Sequence, residues 1–87
     1  MGKRDQVLAA FGRNLRKYRE GKGLTQEALS EKADMDRTYI SDIERGQRNV
    51  AVRNVLRIAH ALQLPSWTLL HAAEATATET PPDALIT

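Results

Sequence analysis

Two apolar-periodic segments of this 87-residue chain, 26–33 and 37–45, are separated only by Asp34-Met35-Asp36. Three residues cannot lay a helix back alongside its predecessor. The two helices must therefore cross steeply, and the second must protrude from the body of the domain. Elsewhere apolar residues recur at spacings of three and four, and no stretch alternates with period two for long enough to make a strand.

The remaining segments follow the same rule. Asp5 predicts the start of a first helix running to Glu20, with Val7, Leu8, Phe11, Leu15 and Tyr18 on one stripe. Gly21-Lys22-Gly23 stops it, and Gly12 inside it marks close helix packing. Thr25 caps the second helix, which buries Ala28, Leu29 and Ala33. Asp36 caps the third, and Gly46 supplies its left-handed stop. A fourth covers about 52–62, with Val52, Val55, Leu56, Ala59 and Leu62 on one side. Pro65 suits the first turn of a fifth, from Ser66 to about Ala73. The expectation is an all-α, compact five-helix bundle over residues 1–74. Residues 75–87 lose all periodicity and carry two prolines, which predicts a flexible C-terminal tail in which Leu85 and Ile86 are frayed rather than docked.

Composition excludes several classes of function. With no cysteine there are no disulfides, thiolate metal sites or cysteine nucleophiles. No uncharged apolar run approaches the ~18 residues of a membrane helix and no signal-peptide core follows the start, so a cytoplasmic protein without membrane attachment is expected. The net charge of +2 conceals an asymmetry. Residues 1–57 hold all 13 Lys and Arg against 8 acids, whereas 58–87 hold 3 acids and no Lys or Arg. A basic front half points to a polyanionic partner.

The third helix gives that partner a surface. At about 100° per residue, Ile40 and Ile43 fall on one side. Thr38, Ser41, Asp42 and Arg45 fall on the other, with Arg37 at its margin. An exposed face of hydroxyls, a carboxylate and guanidinium groups can hydrogen-bond base edges in a major groove; an ordinary solvated helix face has the same composition.

Thr25 to Gly46, with Gly23-Leu24 before it, resembles the helix-turn-helix of the phage-repressor (Xre/Cro-like) family. The likeness extends over residues 7–73, through Gly12-Arg13-Asn14-Leu15-Arg16, Val55 to Leu62, and Leu64-Pro65. More narrowly, Asp36-Arg-Thr-Tyr-Ile-Ser41, Ile43-Glu-Arg-Gly46 and Arg48-Asn49 are similar to controller proteins of restriction–modification systems.

The resemblance implies specific roles. Arg37, Thr38, Ser41 and Asp42 match base-reading or groove-facing positions of a recognition helix. Arg37 leads, because a guanidinium pairs bidentately with a guanine's two acceptors, while the Thr38 methyl suits a thymine. Gln26, Tyr39, Arg45, Arg48 and Asn49 match positions near the DNA backbone, although Tyr39 reads equally well as a core-edge aromatic. Asp42 is awkward beside phosphates unless it accepts from a cytosine amino group or holds Arg45 at i+3, the role preferred here. Glu44 sits beside the apolar side of its helix and needs a partner; by resemblance this is Arg19, in a largely buried pair. Three departures from the family pattern stand out. Asp34 replaces a glycine, Ser30 an alanine, and Ala51 a serine or threonine cap that Asn49 would have to replace.

Other constellations carry little. His60 and His71 lack a third ligand at metal spacing, and no catalytic set or phosphate loop is present, so neither enzyme activity nor a cofactor is expected. Trp67, Leu69 and Leu70 are surplus apolar surface or simple core; similar proteins form symmetric dimers through this region, which implies a homodimer. Two recognition helices would then lie one DNA turn, roughly 34 Å, apart. The sequence thus reads as a DNA-binding transcriptional regulator acting on an inverted repeat of double-stranded DNA, without a small-molecule effector. A restriction–modification controller is the narrower expectation. Antitoxin, phage-type repressor and a protein-interaction module of the same fold are the alternatives.

Overall fold

The computed structural model describes residues 5–78, and among these it forms five helices and no strand. They are α1 (Gln6–Gly21), α2 (Gln26–Ala33), α3 (Arg37–Glu44), α4 (Val52–Leu62) and α5 (Ser66–Thr78). α1 packs on α3 and α5, α2 packs on α3 and α4, and α4 meets α5.

Each of the first three helices starts on a side-chain cap. Asp5 accepts from the Val7 and Leu8 amides, Thr25 from Ala28 and Asp36 from Thr38, so amides with no intrahelical partner are satisfied. α4 is the exception. Ala51 has no cap to offer and Asn49 does not substitute for it.

The first four helices end alike. Gly23, Asp34, Gly46 and Gln63 all have positive φ, between 57° and 74°. The amide of the following residue then reaches back five positions: Leu24 to the Arg19 carbonyl, Met35 to Ser30, Gln47 to Asp42 and Leu64 to Ala59. This reversal occupies the last free carbonyls, and in three of the four cases it turns an apolar side chain (Leu24, Met35, Leu64) back onto the core. Asp34 therefore adopts the left-handed conformation in the tight turn between α2 and α3, at φ 57° and ψ 53°. Arg57 closes the same turn from α4, its Nη2 donating to the carbonyls of Ala33 at 2.9 Å and Asp34 at 2.7 Å.

The core gathers Phe11, Leu15, Leu29, Ile40, Ile43, Val55, Ile58, Ala59, Leu62, Leu69 and Ala73. Gly12 is where α1 and α3 come closest. A Cβ there would run into the Ile43 carbonyl oxygen and come within 2.7 Å of that of Glu44, so only glycine permits this approach. Ser30, buried, directs its Oγ to the Glu27 carbonyl at 2.7 Å and costs the crossing nothing in unsatisfied polarity.

Three expectations need correction. On α4 the buried stripe is Val55, Ile58, Ala59 and Leu62, while Val52 and Leu56 are exposed. Leu56 lies roughly 100° off the centre of that stripe and Val52 sits in the first turn at its edge. α5 continues to Thr78, through four residues expected in the tail. Ala75 and Ala77 are good helix formers that alternating threonines do not interrupt. Leu69 is not surface at all: it is fully buried, because it points about 200° away from Trp67 around the helix. The remainder of the expected tail, including Leu85 and Ile86, lies outside the described residues.

Candidate nucleic-acid interface

The site is the outward face of α3 and the turn that follows it. Ile40 and Ile43 anchor the helix in the core, which fixes where the other face points. Arg37 and Thr38 are exposed at its N-terminal end; Ser41 and Asp42 are half-exposed one turn on; Arg45, Arg48 and Asn49 are exposed beyond it. These seven of the nine residues anticipated at DNA are therefore solvent-accessible together; Gln26 and Tyr39 are the other two.

Behind this face a buried ion pair sets the position of α3. The Glu44 side chain is only 4% exposed and the Arg19 side chain 9%. Arg19 Nε donates to Glu44 Oε2 at 2.6 Å and Nη2 to Oε1 at 3.0 Å, a bidentate fork. The remaining arginine nitrogen, Nη1, donates to the Leu24 carbonyl at 2.7 Å, joining the α1–α2 turn to the same group. Gln26 Nε2 adds a third donor to Glu44 Oε1 at 3.0 Å, so its amide is engaged inward although its residue is only half-buried. The hydrogen bonds it donates to Glu44 raise the Arg19 guanidinium above the ordinary arginine range, outweighing the opposing effect of burial. Because the folded-state value is raised, this contribution is complete below the unfolded arginine value. It is lost only as strongly alkaline pH carries the folded group through its own.

The front of the site is ordered by a second, exposed network. Asp42 accepts from Arg45 Nη2 at 2.5 Å and from Arg48 Nη2 at 3.3 Å. Arg45 Nη1 also donates to Ser41 Oγ at 2.7 Å. The Arg48 guanidinium lies over the Tyr39 ring, 5.1 Å from its centroid. Tyr39 itself is half-buried against the core, and its hydroxyl accepts from Asn54 Nδ2 at 3.0 Å. It is thus both a core-edge aromatic and a group at the margin of the surface. Asn54 and Arg57, which position Tyr39 and the inter-helix turn, were not anticipated. Their partners lie 15 and 23–24 residues away, beyond the reach of any local signal.

Among the described residues no group of three or more His, Asp or Glu side chains could hold a metal ion. None of their helices is long and apolar enough to cross a membrane. On α5, Trp67 is 68% exposed and Leu70 43%. Leu70 borders an open apolar groove of 160 Å³ whose lining includes Val7, Leu8, Phe11, Val50 and Val55.

Two short helices joined by three residues, the second presenting a polar outward face, make a helix-turn-helix, and the helix-turn-helix family model matches residues 15–66. The chain belongs to the helix-turn-helix family. Control protein C.BamHI of Bacillus amyloliquefaciens is 46% identical over 67 residues, covering 76% of this chain and 83% of that protein. The crystal structure of the restriction–modification controller protein C.AhdI from Aeromonas hydrophila superposes with a TM-score of 0.74 at 43% identity, over 75% of this chain and 98% of that one. The restriction–modification controller protein C.Esp1396I, solved as a tetramer with its natural 35 base-pair operator, superposes with a TM-score of 0.73 at 32% identity, over 82% and 93% of the respective chains. The chain is thus similar to restriction–modification controllers and other helix-turn-helix regulators in both sequence and fold.

Proposed function

We propose that this chain is a sequence-specific, DNA-binding transcriptional regulator of the restriction–modification controller kind, working in the cytoplasm as a homodimer on an inverted repeat. The observation that carries this reading is the accessible surface of α3 and the turn after it, seven polar residues on and just beyond a helix whose back is fixed by the Arg19–Glu44 pair. Likeness to C.BamHI over most of both chains supports the controller assignment.

In this reading Arg37 meets a guanine edge, Thr38 offers its methyl to a thymine, and Ser41 donates or accepts beside them. Arg45, Arg48, Asn49 and Tyr39 meet phosphates, and the N-terminus of α2 at Gln26 meets another through its free amides. Trp67 and Leu70 face the second subunit. Occupancy is governed by the protein's own concentration, through dimerisation and stepwise filling of the operator.

Selection of bound fragments from random DNA tests the whole reading, and an inverted repeat is the expected product. Affinity for the selected site should fall by about 10³–10⁵ between about 50 and 200 mM salt if 6–10 phosphates are contacted. Absence of binding at the lower salt would instead identify an interaction module of the same fold. An endonuclease gene adjacent on the chromosome is the further expectation specific to a controller.

A further inference from the structure

The α3 face carries one carboxylate, Asp42, among cations that the proposed function turns toward phosphates. Its side chain is 20% exposed, and its two oxygens are divided between two arginines, Arg45 on Oδ1 and Arg48 on Oδ2. Neither arginine is loose. Arg45 is tied in addition to Ser41 Oγ, and Arg48 is laid over the Tyr39 ring. Arg37, by contrast, has no ion-pair partner among the described residues, its nearest acidic neighbour Asp36 being occupied with the Thr38 amide. Before any DNA arrives, two of the guanidinium groups on this surface therefore already share one carboxylate and are held on the protein, and the third is open.

From this asymmetry we propose that Asp42 is a specificity-determining positioning residue that restrains binding to random DNA. A phosphate that engages Arg45 or Arg48 must share each guanidinium with the carboxylate and accept its negative charge a few ångströms away. On an arbitrary sequence nothing offsets that cost. On the correct site the base contacts of Arg37 and Thr38 do, and the two arginines are already oriented when they form. Asp42 thus lowers non-specific affinity more than specific affinity and widens the ratio between them, the quantity that decides occupancy among many competing sites. This inference rests on the DNA-binding reading.

The test compares the wild-type protein with Asp42→Asn, which keeps the shape and removes the charge, and with Asp42→Ala. Each is titrated against a random-sequence duplex and against a duplex enriched from a random pool by the wild-type protein, between about 50 and 200 mM salt. Exposed ion pairs of this kind are weak individually, so releasing both arginines should tighten random-duplex binding about tenfold. The salt slope should steepen by about one unit, because the cation retained beside the carboxylate is now released with the others. Affinity for the enriched duplex should change less, so the specificity ratio falls.

Unchanged random-duplex affinity and slope in both variants overturn the inference, and so does a loss confined to the enriched duplex, the signature of a direct cytosine contact. A wild-type protein that binds neither duplex at low salt overturns the DNA-binding reading, and the restraint with it. Thermal melting of both variants near the wild-type midpoint is expected from a surface position and keeps the binding changes separate from unfolding.

Discussion

At Glu44 three donors converge on one buried carboxylate, and no buried side-chain nitrogen or oxygen among the described residues lacks a partner. Such a group is stable only while its partners remain. Arg19→Ala leaves the carboxylate with Gln26 alone in a nearly water-free position, and should cost about 3–5 kcal/mol. Urea unfolding measures it; a loss below about 1 kcal/mol, the scale of a surface pair, would sink the assignment. Replacing both charges, as Arg19→Met with Glu44→Leu, should cost less than the single change, because no uncompensated ion is left behind. At Asp42 the same pairing occurs in the open, where screening makes it a minor term in stability and leaves it free to influence binding.

At the scale of elements, the helices are defined by their ends more than by their middles. Four reversals of one kind fix the directions in which α2, α3, α4 and α5 set out, and two use residues other than glycine, Asp34 and Gln63. Aspartate tolerates the left-handed region; glutamine has no such excuse. Gln63→Gly should therefore stabilise by about 0.5–1 kcal/mol, the relief of backbone strain exceeding the added freedom of the unfolded chain. At the opposite end of α4, Ala51 already has the extended backbone of a cap, with ψ 146°, but no side-chain oxygen to accept from the first-turn amides. Ala51→Ser should add about 0.5–1 kcal/mol. The two sites are far enough apart to be additive. Together they should raise Tm by roughly 5–10 °C, as read by calorimetry, with no change in DNA affinity.

Across the whole molecule, the proposed function assigns α3 and the Trp67–Leu70 side of α5 different tasks on one small core. Trp67→Ala with Leu70→Ala should shift the monomer–dimer equilibrium toward monomer in sedimentation while leaving the monomer's own unfolding almost unaltered. Leu69→Ala, one residue from Leu70, should do the opposite and cost about 2–5 kcal/mol of stability, since it opens a cavity in the centre. Sedimentation equilibrium and denaturant unfolding of the same variants separate the two effects, and equal behaviour of Leu69 and Leu70 would contradict the surface assigned here.

Periodicity, caps and stops are local properties, and they suffice to place five helices, the three-residue link between α2 and α3 and the polar face of α3. What local pattern cannot carry is the choice of neighbour. That Val52 and Leu56 stay in water, that Leu69 turns inward while Leu70 does not, and that Arg57 closes the end of α2 depend on which helices stand opposite. The Arg19–Glu44 pair shows the division most clearly. The carboxylate's need for a partner follows from its side of the helix, but its partner lies 25 residues away. Short-range chemistry wrote the elements; packing in three dimensions selected which side chains meet, because burial and charge pairing are settled only when the surfaces close.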